Sequence, residues 1–303
     1  MKVQTDHPAQ KPDWLKVQTA KETDYQQIKS MLTDLKLVTV CEEAHCPNLG
    51  ECWQGGTATF MLMGDTCTRA CHFCAVKTGN PHQWLDENEP WQIAEAAKRM
   101  GLSYLVLTSV DRDDLPDQGA GHFAQTISVT KRENPRILVE VLTPDFNGEQ
   151  ELIKKVIKAE PNIFAHNMET VRRLTPSVRD RRCGYDLSLK TLAAVKEINP
   201  NQYTKTSLML GLGERDEEIE ETLSDLRAIG VDIITFGQYL SPTKRHYPVK
   251  EFVTPEKFDH WRYRGQEMGF LYCASGALVR SSYRAGEFFV ESLVRKKDSS
   301  MHQ

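Results

Sequence analysis

The chain has 303 residues, 40% hydrophobic and 26% charged, enough to bury a sizeable core in one large α/β domain or two small ones. Its net charge of −4 speaks against a nucleic-acid binder, which normally carries a basic excess. No apolar run approaches the roughly 18–20 residues that span a bilayer, and the start MKVQTDHPAQ lacks an apolar secretory core, so a cytoplasmic chain without a membrane partner is expected.

Residues 1–13 and the tail KKDSSMHQ from Lys296 are polar, and neither is expected to carry function. Residues 14–56 hold Cys41, Cys46 and Cys52 with one expected helix near Asp24 to Leu35, and read as an extension held in place by a metal site. From Thr57 onward, short apolar runs (TATFMLM, YLVLTS, ILVEVL, NIFAHN, KTSLMLGLG, DIITFGQYL) alternate with amphipathic stretches such as PWQIAEAAKRMG, GHFAQTISVTKRE, ELIKKVIKAE and LSLKTLAAVKEI. In Glu214 to Ile229, the residues Ile219, Leu223, Leu226 and Ile229 recur three or four apart, with acidic residues in the first turn and Gly230 as the stop. GFLYCASG is a later extended piece. Strand and helix repeated about six times imply parallel strands in a full barrel, a partial barrel or an open wound sheet, and in each the ligands sit at the carboxyl ends of the strands.

Eight cysteines are present, and six of them fall between Cys41 and Cys74. In a chain of this class such a cluster reads as metal binding rather than as a disulfide framework. Cys67, Cys71 and Cys74 form a Cys-x3-Cys-x2-Cys loop just after the first predicted strand. Three thiolates on one loop can each bind one iron of a cubane cluster and leave the fourth iron open to a substrate. Structural zinc is the alternative, but it is normally closed by four ligands, and His72 sits awkwardly between two of them. Cys41, Cys46 and Cys52 form a Cys-x4-Cys-x5-Cys set, a signal for a second cluster.

With Phe73 before its last cysteine, the second triplet resembles the signature loop of the radical S-adenosylmethionine superfamily. The resemblance implies that Cys67, Cys71 and Cys74 hold a 4Fe-4S cluster whose open iron binds S-adenosylmethionine, in a partial (β/α)6 TIM-like barrel. The two triplets together, with TSVDRDDLPDQGAGHF, VLTPDF, FAHNMETV, TKTSLMLGLGE, FGQYLSPT and RSSY, resemble the lipoyl synthase family from about Trp14 to Gly286. That divides the chain into an N-terminal cluster-binding extension at 1–56, a barrel at 57–270 and a C-terminal extension at 271–303.

The family resemblance implies insertion of two sulfur atoms, at C6 and C8, into a protein-bound octanoyl-lysine. These are unactivated C–H bonds that no side-chain acid or base can ionise, so a cofactor must supply the abstractor. Two 4Fe-4S clusters and S-adenosylmethionine are implied. The second cluster, on Cys41, Cys46 and Cys52, gives up the sulfur, with Ser282 as its fourth ligand and Ser281 as the nearest competitor. An alkoxide is harder than a thiolate and is released by protonation, which suits a cluster that breaks down. The implied partners are octanoylated lipoyl domains of 2-oxoacid dehydrogenase complexes or the glycine cleavage H protein, and an electron donor of the ferredoxin or flavodoxin type. Lys244, Arg245, His246 and the stretch Arg172 to Arg182 are candidates for a positive contact surface.

The strand ends are expected to supply the S-adenosylmethionine contacts: Phe73 on the cluster loop, Thr108, Ser109 and Asp111, then Glu140, Asn167, Gly211 and Glu214. His45 and His166 receive no role, Cys183 and Cys273 read as small buried residues, and Trp53, Trp84, Trp91 and Trp261 read as packing. Two other classes compete. Another two-cluster radical enzyme is disfavoured by the upstream triplet and RSSY, and a carrier or zinc module needs no barrel.

Overall fold

The computed structural model describes residues 11–15, 30–35, 37, 39 and 56–281. The strands and helices are β1 Thr57–Leu62, β2 Thr66–Cys67, β3 Lys77–Thr78, α1 Glu89–Arg99, β4 Tyr104–Ser109, α2 Ala120–Glu133, β5 Leu138–Leu142 and α3 Gln150–Ile157. They continue as β6 Ile163–Ala165, α4 Thr175–Val178, α5 Tyr185–Ile198, β7 Tyr203–Leu210, α6 Asp216–Ala228, β8 Ile233–Gln238, α7 Pro255–Glu267 and β9 Tyr272–Gly276.

Seven strands form one parallel sheet in the order β1-β4-β5-β6-β7-β8-β9. Among the described residues no ladder joins β9 back to β1, so the sheet curves as a partial barrel, as expected. It runs through Gly276, past residue 270, because GFLYCASG pairs with β8 as a seventh strand. Thr39 makes an antiparallel bridge to Phe60 on the β1 edge, and residues 30–34 are helical. No helix among the described residues is long and apolar enough to cross a membrane.

The period-two alternation of the strands sorts their side chains. Leu105, Leu107, Val139, Val141 and Phe164 point to α1, α2 and α3 and join their apolar faces. Leu208, Leu210, Ile234 and Phe236 do the same for α6 and α7. Full burial of each such side chain stabilises the fold by about 1.5–3 kcal/mol. The opposite parity, Tyr104, Val106, Leu138, Ile163 and Ile233, fills the amino-terminal end of the barrel interior. Further along the same face the residues turn polar: Thr108, Glu140, Lys205 and Ser207 are buried. The interior is thus sealed at one end and polar towards the carboxyl ends, where a ligand can enter.

α6 begins with Asp216, Glu217 and Glu218, which complement the positive helix terminus, and the chain turns at Gly230 with φ 78°. α7 has no counterpart among the sequence-stretches read as helical. Only Phe258, Trp261 and Gly265 of its thirteen residues are buried, so its apolar stripe is too thin to stand out.

A cluster loop and cavity at the carboxyl end of the barrel

Cys67, Cys71 and Cys74 lie on the loop that leaves β1 and crosses the carboxyl ends of the strands. The loop is pinned at many points. The Gly79 amide donates to the Cys67 carbonyl at 2.9 Å, His72 N to Val178 O at 2.9 Å and Tyr247 N to His72 O at 2.8 Å. The His246 ring donates from Nε2 to the Cys74 carbonyl at 3.0 Å.

Backbone donors face the sulfurs. The amides of Arg69 and Asp111 point at Cys67 Sγ at 3.4 and 3.3 Å, and that of Asp180 points at Cys71 Sγ at 3.3 Å. Burial works the other way, pushing the Cys67 thiol up to about 12 and the Cys74 thiol above its ordinary value. Thiolates at this site therefore need a cation to hold them, since metal binding deprotonates its thiol ligands. Among the described residues no three His, Cys, Asp or Glu side chains converge on a single-ion site. Three thiols on one loop, with amides aimed at two of them, fit a cluster in which each thiolate takes its own iron.

Arg69, between the first two cysteines, fixes the loop to the barrel. Its buried guanidinium donates to Asp113 through Nε and Nη2 at 3.1 and 2.9 Å, and to Asp145 through Nη1 and Nη2 at 2.6 and 3.0 Å. It also lies 3.4 Å from Asp111. Burial raises Asp111 to about 6. Burial alone would also raise Asp113 and Asp145, but hydrogen bonds from Arg69 outweigh it and hold both below 3.8.

Beneath the loop lies a cavity of about 590 Å³, within the range of small-molecule sites. Cys67, Cys71, Phe73, Cys74, Thr108, Ser109, Asp111 and Asn167 line it, so the structure brings these expected residues together. Ser109 Oγ, Asn167 Oδ1 and Arg179 Nε are buried with no hydrogen-bond partner, leaving polar atoms for a polar ligand such as S-adenosylmethionine.

Glu169 and Arg179 also line the cavity, and neither was foreseen as a contact. Glu169 has φ 68°, a left-handed conformation that is uncommon for a non-glycine residue. Its backbone is held by Glu169 N to Ser207 O at 3.0 Å and Met209 N to Glu169 O at 2.9 Å, and its half-buried carboxyl is raised by desolvation. Asn167 Nδ2 donates to it at 3.1 Å. Arg179 is held by a relay. His166 Nδ1 donates to the Thr143 carbonyl at 2.9 Å, so Nε2 accepts from Ser188 Oγ at 2.9 Å, and Ser188 Oγ accepts from Arg179 Nη1 at 2.8 Å. Burial, then the Arg179 charge, brings His166 down to about 4, so this ring is neutral at physiological pH. Glu169 had no sequence signal beyond its place in FAHNMETV, and Arg179 was read only as part of the Arg172 to Arg182 contact stretch.

Three expected contacts lie elsewhere and are corrected. Glu140 is buried in the barrel interior, accepting from Lys205 Nζ at 2.9 Å and from Tyr104 Oη at 2.6 Å. A carboxylate committed to that ion pair is not offered to the cavity. The Glu214 side chain accepts from the Gly211 and Leu212 amides at 2.6 and 2.9 Å, closing its own turn. Gly211 has φ 95°, and a Cβ there would overlap the Glu251 carbonyl, so packing explains this glycine. Cys41, Cys46, Cys52 and Ser282 lie outside the described residues, as do His45 and Trp53. Ser281 lines the cavity.

Most of the arginine stretch is committed to partners within the chain, although Arg181 is exposed. Arg172, Arg173 and Arg182 pair with Asp186, Glu218 and Asp180, and Arg179 is buried. Lys244 and Arg245 are exposed. Cys183 is buried but accepts from Arg69 Nη1 at 3.4 Å, which a purely apolar role would not require. Cys273 and Trp261 are buried as expected, whereas Trp84 and Trp91 are largely exposed.

The sequence profile of the Radical SAM superfamily matches residues 61–226, and that of the N-terminal domain of lipoyl synthase matches residues 1–46. Similar proteins include the mitochondrial lipoyl synthase of Culex quinquefasciatus, 60% identical over 94% of this chain and 77% of that protein. That of Schizosaccharomyces japonicus is 56% identical over 96% of this chain and 79% of its own length. Among solved structures, HydG, a maturase of the FeFe-hydrogenase, aligns with TM-score 0.57 at 18% identity, over 84% of this chain and 63% of that one. Streptococcus suis SuiB bound to S-adenosylmethionine aligns with TM-score 0.57 at 12% identity, over 84% of this chain and 55% of that one. At such identities the likeness concerns the fold alone. The expected cytoplasmic location is overturned, because these relatives are named mitochondrial. A search for apolar segments does not detect a mitochondrial address, which is amphipathic rather than apolar.

Proposed function

The chain belongs to the lipoyl synthase family of the radical S-adenosylmethionine superfamily, and from that premise we propose that it inserts sulfur at C6 and C8 of a protein-bound octanoyl-lysine. One observation carries the reading. Three thiols, two of them met by backbone amides, and the buried unpartnered atoms of Ser109, Asn167 and Arg179 face one cavity whose wall also includes Ser281. When bound, a 4Fe-4S cluster with S-adenosylmethionine supplies a radical strong enough to take hydrogen from an unactivated carbon, and a second cluster supplies the sulfur.

The residues of the chain do the rest. Cys67, Cys71 and Cys74 hold the first cluster, and Arg69 keeps their loop over the barrel. Arg179, fixed by Ser188 and His166, presents a cation to the carboxylate of S-adenosylmethionine, while Asn167, Ser109 and Glu169 offer hydrogen-bonding groups to its polar parts. Met61, Leu142 and Met209 line the same cavity and provide apolar wall for an alkyl chain. Cys41, Cys46, Cys52 and Ser282 hold the second cluster, the cysteines from the chain before β1 and the serine from the chain after β9.

The substrate is an octanoylated lipoyl domain of a 2-oxoacid dehydrogenase complex or a glycine cleavage H protein, with an electron donor of the ferredoxin or flavodoxin type. Lys244 and Arg245 precede His246, which is bonded to the cluster loop, so their charges stand beside the site as the contact for an acidic carrier.

The test is anaerobic incubation of reconstituted enzyme with an octanoyl-lysine peptide, S-adenosylmethionine and reductant, followed by mass spectrometry. Gain of two sulfurs, as the dithiol under reductant or with loss of two hydrogens once air oxidises it to the disulfide, is expected alongside 5′-deoxyadenosine. 5′-Deoxyadenosine with no sulfur on the peptide would move the substrate elsewhere.

A further inference from the structure

Gly237 lies inside β8, opposite Met209 of β7 and Gly276 of β9, and it lines the cavity. Its backbone is extended and not left-handed, so any residue could adopt the conformation. What it lacks is room. A Cβ at this position would overlap the Val279 carbonyl oxygen and sit 3.2 Å from the Val279 carbonyl carbon and 3.5 Å from Arg280 Nη1. The obstacle is backbone, which cannot swing aside as a side chain can.

The segment that crosses Gly237 leads directly to the serines. The Val279 amide donates to Gly276 O at 3.0 Å, turning the chain back over the strand ends. Arg280 Nη1 donates to Val279 O at 2.8 Å. Ser281 then lines the same cavity as Cys67, Cys71 and Cys74. Gly276 makes an internal contrast, since a Cβ there would meet only the movable Cγ2 of Val279, at 3.3 Å.

We propose that Gly237 is a positioning residue for sulfur insertion, its missing side chain allowing Val279 and Arg280 to lie on the end of β8 so that Ser281, the first serine of RSSY, reaches the cavity. The inference rests on the function proposed above, in which a serine of that segment completes the second cluster.

The test uses the full-length reconstituted enzyme as wild type, Gly237→Ala and Gly276→Ala, with thermal unfolding as the check of folding. In Gly237→Ala, sulfur inserted per 5′-deoxyadenosine formed should fall about 10- to 100-fold, the scale on which a misplacement of about 1 Å acts. The Mössbauer signature of an oxygen-ligated iron should vanish, while the reduced cluster on Cys67, Cys71 and Cys74 keeps its electron paramagnetic resonance spectrum. Gly276→Ala should match wild type in both readouts. If Gly237→Ala does not fold, the double variant Gly237→Ala/Val279→Gly, whose segment can move off the strand, should fold and show the same uncoupling. Wild-type coupling with the oxygen-ligated iron intact, in Gly237→Ala or in the double variant, overturns the proposal. Failure of the wild-type enzyme to insert sulfur at all would instead overturn the underlying function.

Discussion

Arg69→Met is expected to lower the free energy of unfolding by about 3–5 kcal/mol, the usual consequence of removing one partner from a buried ion-pair network. Asp145 has a fully buried side chain and Asp113 one about one-fifth exposed, and both would lose the cation that holds them below 3.8. The sign follows from linkage. A carboxyl lowered in the folded state contributes stability that is present above its unfolded pKa, near 3.8, and is lost as pH falls through the folded value. In the variant that contribution disappears at neutral pH, so unfolding by urea at pH 7 should show the full difference. The gap from wild type should narrow as the pH is taken well below 3.8. An unchanged urea midpoint at pH 7 would mean that the loop does not depend on Arg69. The same variant should assemble less of the first cluster, because the loop bearing Cys67 and Cys71 loses its anchor.

Cys71→Ala should lose formation of 5′-deoxyadenosine altogether, by at least about 10³-fold, since no side chain can replace a radical generator in an enzyme whose acceleration spans many orders of magnitude. The protein should stay folded, because Cys71 is only partly buried and lies outside the three hydrophobic clusters. It should keep about half the iron of wild type if Cys41, Cys46 and Cys52 hold a second cluster of equal size. Iron and sulfide analysis beside product quantification checks both parts. Loss of all iron would mean that the two sites assemble as one.

The sequence made the sheet legible because its strands are short apolar runs separated by amphipathic helices, and burial on both faces removes alternation only where the barrel interior is apolar. It hid α7, whose polar surface masks a stripe of Phe258, Trp261 and Gly265, and so it undercounted the strands that α7 helps to close. Gly265 shows how tight that contact is, with a Cβ there only 2.8 Å from Cys273 Sγ. The cysteine triplet was legible because three soft ligands on one loop have few other uses. Glu140 misled, because a carboxylate on a barrel strand looks like a ligand until its buried partners Lys205 and Tyr104 are seen across the interior. Glu169 and Arg179 stayed hidden for the opposite reason. Their position depends on a left-handed turn and on a three-residue relay from His166, neither of which has a spacing to read. Gly237 sits in FGQY as one more strand glycine, and only the path of Val279 over it reveals the use.

In the function proposed above, the sulfur in the product comes from the enzyme's own cluster. This origin is tested most directly by rebuilding the enzyme with ³⁴S-sulfide, removing free sulfide, and running a single turnover on an octanoyl-lysine peptide without added sulfur. Lipoyl product carrying two ³⁴S atoms is predicted, with product limited to one equivalent per chain. Product carrying sulfur of natural isotopic composition, or no sulfur despite 5′-deoxyadenosine formation, would contradict it.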